Sequence, residues 1–148
     1  MDEDRRLRWL ESVARLRHLR TRQADAAVAD CTRAWDVAAK KVAARQAEVS
    51  ALSSWRLQAA ARPQLDLGML QQSMTMAASA ETALTDAQAE LETCANARER
   101  ALGEQLLASR REDRASKQHD AAHLAGTIVQ ERRQSEQSLE AWSRRKPA

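Results

Sequence analysis

The stretch Ala61–Arg62–Pro63–Gln64–Leu65–Asp66–Leu67–Gly68 decides how this chain folds. Pro63 cannot sit inside a helix and pushes Arg62 away from helical geometry, while Gly68 permits a turn conformation. Upstream, from about Asp4 to Ala61, there is no Gly or Pro. Downstream, from Met69 to Lys146, there is no Pro, and only Gly103 and Gly126 weaken a helix. At 1.5 Å per residue the two segments make helices about 85 Å and about 115 Å long. Helices of that length need a partner to be stable in water.

Composition points the same way. The 148 residues include only 3 Gly and 2 Pro, no Phe or Tyr, and 4 Trp, with 30% charged side chains and about a fifth Ala. Long helices and coiled coils have this profile. The large apolar residues that a compact enzyme needs around a cleft are too few. Cys31 and Cys94 have no CxxC spacing and no nearby His, which argues against a metal site. The opening MDEDRRLRW is not a signal peptide, and no window approaches 18 apolar residues. The expected compartment is the cytosol, with both thiols reduced.

Periodicity identifies the partner as the chain itself. Val28, Cys31, Trp35, Ala38, Val42, Arg45, Val49 and Leu52 alternate steps of three and four, a heptad seam with one polar interruption at Arg45. The second segment repeats it through Leu84, Ala87, Leu91, Cys94, Arg98 and Ala101, then shifts register towards Leu102 and Leu106. Its apolar signal thins from Glu104 to Asp120 and resumes at Leu124, Ile128, Leu139 and Trp142. Small seam residues imply closely spaced helices and a thin core.

The expected fold is all-α: one domain over 1–148, a long two-helix antiparallel coiled-coil hairpin. Helix 1 spans about 4–61, the turn about 62–68 and helix 2 about 69–144. From Pro63 to Ala97 there is no Lys or Arg, while Lys40, Lys41, Arg45, Arg56 and Arg62 face Glu48 alone. A pivot near residue 65 makes paired numbers add to about 130. That puts Lys40 near Glu90, Arg45 near Asp86, Asp30 near Arg100, and Cys31 about one turn from Cys94. Each exposed pair contributes only about 0.2–1 kcal/mol, but together they disfavour slipped registers. Residues beyond about 129 then extend past helix 1, carrying Leu139 and Trp142 in a basic segment, a pattern that suits a partner.

Catalytic constellations are absent. His119 and His123 share a helical face, but HDAAH lacks a zinc-protease Glu and a third ligand, so they read as solvent-facing polar residues. Arg5, Arg6, Arg8, Arg15, Arg17, Arg20 and Arg22 interleave with Trp9, Leu10, Val13, Leu16 and Leu19 to make a basic amphipathic start. In a hairpin that start lies near Arg132, Arg133, Arg144, Arg145 and Lys146, concentrating positive charge where an acidic surface can receive it. At the opposite end, Leu65, Leu67, Met69, Leu70, Met74 and Met76 form a Met-rich cluster suited to adaptable contacts.

A chain of this length built as two long helices around one turn, with a basic amphipathic start, resembles the FliJ/YscO family of type III secretion stalk proteins. The stretch QSEQSLEAWSRRKP, Gln134 to Pro147, looks like the close of flagellar members, and the opening around Leu7, Leu10 and Val13 is similar. The resemblance covers nearly the whole chain.

It implies a non-enzymatic central stalk that binds and stimulates a hexameric secretion ATPase, contacts the export gate and binds export chaperones. It implies no cofactor, no nucleic acid and no transmembrane segment, at the cytoplasmic face of the inner membrane. The ring-binding end would comprise Arg5, Arg6, Arg8, Trp9, Arg132, Arg133, Trp142, Arg144 and Arg145. The gate- or chaperone-binding end would comprise Leu65, Leu67, Met69, Leu70 and Met74, although no aromatic residue stands near the turn. The alternative is a generic coiled-coil scaffold that dimerises through its overhang. A nucleic-acid-binding role ranks last, because the acidic half of helix 2 repels phosphates.

Overall fold

The computed structural model describes residues 2–64 and 66–145. Two helices account for almost all of them: α1 (Glu3–Ala60) and α2 (Leu67–Arg145). They pack against each other as an all-α helical hairpin, with no strand among the described residues.

The turn is made differently from the expectation. Gly68 lies inside the first turn of α2, and no described residue has a positive φ. Asp66 starts the helix instead. Its Oδ1 accepts hydrogen bonds from the backbone N–H groups of Gly68 (2.9 Å) and Met69 (3.4 Å), and its carbonyl accepts from Leu70 N–H (3.0 Å). This is an N-cap, which satisfies donors that have no intrahelical partner. A Cβ on residue 68 would stand 3.3 Å from that same oxygen, so glycine leaves the cap room. Leu65, assigned to the turn-side cluster, lies outside the described residues, as do Lys146 and Pro147.

The helix contacts fall into two compact units, Met1–Ala24 with Glu104–Ala148, and Asp25–Gly103. Within Asp25–Gly103 the α1 seam is the one read from the sequence. Val28, Cys31, Trp35, Val42, Arg45, Val49 and Leu52 are half-buried and Ala38 is buried. Arg98 Nε donates to Thr32 Oγ1 (3.3 Å) and Lys41 Nζ to Glu90 Oε2 (2.8 Å), pairs whose numbers add to 130 and 131. The register is therefore as expected, but the individual ion pairs are not. Glu90 takes Lys41 rather than Lys40, Arg45 bonds Glu48 (3.0 Å), and Asp30 bonds Arg33. A neighbour three residues away on the same helix is reached with less loss of side-chain freedom than one across the seam.

Within the other unit the seam departs from the sequence reading. It does not shift towards Leu102 and Leu106, which are exposed; it continues through Gln105, Ala108, Glu112, Ala115, His119, Ala122 and Gly126. Leu124, Ile128, Leu139 and Trp142 are exposed as well. Small residues at every seventh position explain this: Ser73, Ala80, Ala87, Cys94, Ala101, Ala108, Ala115 and Ala122. Side chains this small let two helix backbones approach closely, and a mid-helix leucine in that row would hold them apart. The core is accordingly thin. Among the described residues its buried apolar members are Leu10 and five alanines, and no large side chain is fully enclosed.

Candidate functional site

With so thin a core, the functional surfaces are what the seam leaves outside. In the unit formed by the two chain ends, Arg5, Arg6, Arg8 and Trp9 are exposed on the first turns of α1. Arg132, Arg133, Arg144 and Arg145 are exposed on α2, where every residue from 127 to 145 is exposed. The interleaving is local. Arg6, Leu7, Trp9 and Leu10 line one face of an open groove of about 630 Å³ whose other wall is Gln118, Ala121 and Ala125. Arg133 faces Glu3 and Asp4 across a neighbouring depression. Arg8 donates to the Asp4 carbonyl (3.2 Å), and Arg144 lies 3.8 Å from Glu140.

Inside the same unit, the sequence reading missed a polar layer. His18 Nδ1 lies 2.6 Å from Glu112 Oε1, and Thr21 also hydrogen-bonds the Glu112 carboxylate. Thr21 Oγ1 also lies 3.1 Å from the Arg17 carbonyl. The Thr21 and His18 hydrogen bonds hold the Glu112 carboxyl below its ordinary value of 4.5, against a smaller opposing effect of burial. The arithmetic of paired numbers contained the signal, since 18 and 112 add to 130.

A carboxyl whose folded value is depressed adds stability that is present above its ordinary value and is lost as pH falls through the folded one. Glu112→Gln should therefore flatten the fall in thermal stability below about pH 4.5. Parallel melting curves for the two proteins from pH 7 to pH 3 would refute this.

Protein-family models, curated proteins and solved structures give no match to this chain. Function must be argued from its own surfaces. The histidines differ in part from the expectation. His123 is exposed, whereas His119 occupies a seam position, with Nδ1 3.3 Å from Asp120 Oδ1. The two rings lie 6.3 Å apart, and no three potential ligands converge among the described residues. Cys31 and Cys94 are half-buried free thiols in the seam. No helix among the described residues is long and apolar enough to cross a membrane.

At the turn-side end, Leu67, Met69, Met74 and Met76 are exposed and Leu70 is half-buried in the seam. The statement that no aromatic residue stands near the turn needs correction. Trp55 lines a cavity of about 310 Å³ with Leu52, Met69, Gln72, Ser73 and Met76. Twenty residues of sequence hide this neighbourhood, but residue 55 pairs with about 75, between Met74 and Met76.

Proposed function

We propose that this chain is a non-enzymatic stalk and adaptor of a type III secretion apparatus, as its resemblance to the FliJ/YscO family implies. Its basic end would bind and stimulate the secretion ATPase ring. Its turn-side end would contact the export gate and chaperones at the cytoplasmic face of the inner membrane. The observation that carries the reading is the company of charges at the chain ends. The unit containing both termini holds 16 basic against 11 acidic side chains, and its arginines at both helix ends stay exposed. Such a surface attracts an acidic partner over roughly a Debye length, about 8 Å at physiological salt.

The test is charge reversal. Arg5→Glu, Arg6→Glu and Arg8→Glu together should abolish stimulation of the cognate secretion ATPase while circular dichroism shows unchanged helix content. Full stimulation by the triple variant would overturn this placement of the ring-binding end. The scaffold alternative is favoured by one feature, the exposed Ile128, Val129 and Leu139 on the last turns of α2. Sedimentation separates the two readings: a stalk is mainly monomeric, whereas a scaffold dimerises.

A further inference from the structure

The cavity at Trp55 is one end of a longer groove. Leu52 and Met76 line both this cavity and an adjoining one of about 610 Å³ that runs on past Ala51, Ser79 and Ala83. On α2 the positions Met69, Met76 and Ala83 recur every seven residues, and the next in that row is Glu90. On α1, Trp55 and Glu48 lead by the same step to Lys41. The Lys41–Glu90 bridge (2.8 Å) therefore crosses the faces that form the groove and closes its far end. From Met69 to Ala83 the open length is 14 helical steps, roughly 21 Å. The walls are uncharged around Leu52, Ser73 and Ser79, with Trp55, Met69 and Met76 part-exposed along one stretch, and the Arg45–Glu48 pair lines the Ala83 end.

The charges sit at the two ends. Asp86 continues the α2 row of Gln72 and Ser79 and makes no ion pair among the described residues, while Arg45 bonds Glu48. Arg62 is exposed in the turn, where its backbone N–H donates to the Ala59 carbonyl (3.3 Å). We infer that this groove receives one amphipathic α-helix of a partner protein, about four turns long. Its acidic N-terminal turn faces Arg62 and its basic C-terminal turn faces Asp86. That direction agrees with the helix dipole, which favours acid at the first turn and base at the last. Apolar side chains at i, i+3, i+4 and i+7 of the occupant fill the space between Trp55 and the two methionines. The inference deepens the turn-side half of the proposed function by naming the kind of partner element.

The probe is a pair of synthetic four-turn peptides with one apolar face, carrying Glu in the first turn and Lys in the last, or the reverse. Binding is read on the methionine methyl and tryptophan indole resonances of the full chain. Met69 and Met76 line the groove, and the exposed Trp9 indole, on the first turns of α1, serves as the internal control. The Glu-first peptide should shift Met69 and Met76, leave Trp9 in place, and bind roughly fivefold more tightly than its reverse. The double variant Arg62→Glu, Asp86→Lys should invert that preference, which removes any contribution from the peptides' own helicity. Absence of Met69 and Met76 shifts, equal movement of Trp9, or a preference untouched by the double variant would each overturn the inference. ATPase stimulation is read at the other end of the chain, so the proposed function can fail or stand separately.

Discussion

Ala87→Leu lowers the thermal midpoint by about 6–12 °C, the equivalent of about 3 kcal/mol for a chain of this size. Ala87 is the most enclosed of the described residues, 1% exposed. It stands in the row of small residues that recurs every seven positions from Ser73 to Ala122, with Ala80 one heptad before it and Cys94 one heptad after. Its paired number is 43, which places it against the Val42 layer of α1. A leucine there must take an unfavourable rotamer or push the helices apart. Separation is opposed on both sides, because the small side chains on either flank make contact only at short range. The same substitution at Ala89, exposed on α2, should change the midpoint by no more than 1–2 °C, within about 0.5 kcal/mol. Similar midpoints for the two variants would mean that close packing along this row does not hold the hairpin.

The same row explains how much of the structure is legible in the sequence. The turn, the α1 seam and the pairing number of 130 are all readable, because Pro63 interrupts an otherwise Gly- and Pro-free segment and Val28 to Leu52 carry recognisable apolar side chains. The seam of α2 beyond Ala101 is not readable from hydrophobicity. There the seam is built from Ala, Gln, Glu, His and Gly, while Leu102, Leu106, Leu124 and Ile128 point outward. Apolar periodicity tracks the largest side chains, so it follows the wrong face wherever small residues set the helix spacing. A count of small residues at seven-residue intervals finds the right one. The turn-side site was half legible: the methionines announce themselves, but Trp55 joins them only once the register is applied. Ion-pair partners are the least readable feature. Pairing across the seam competes with i, i+3 and i, i+4 neighbours that differ from it by only a few tenths of a kcal/mol.

Trp35→Ala is expected to destabilise the hairpin by about 3 kcal/mol, and the reason lies in what Trp35 supports. The Arg98 guanidinium carbon stands 5.3 Å from the Trp35 ring centroid, while Arg98 Nε donates to Thr32 Oγ1 at 3.3 Å. Arg98 occupies a position that Leu91 and Leu84 hold one and two heptads earlier, so a cation sits where the seam would take an apolar side chain. It is tolerated because the indole face attracts it. Removing the indole takes away the largest side chain in the seam, opens a void, and leaves the guanidinium with one hydrogen bond in place of two contacts. Arg98→Ala removes the cation along with its need for support, and should cost only about 1 kcal/mol. The two substitutions therefore should not add. The double variant is expected to be more stable than the sum of the singles implies by about 0.5–1 kcal/mol, the coupling of a partly exposed cation–π pair. Urea unfolding of the four proteins measures it, with the m-value checking that the unfolded state is unchanged. Additivity within about 0.3 kcal/mol would mean that Arg98 is held by solvent and Thr32 alone. A net gain from Arg98→Leu at an intact Trp35 would show that the polar layer limits stability and serves to fix the register.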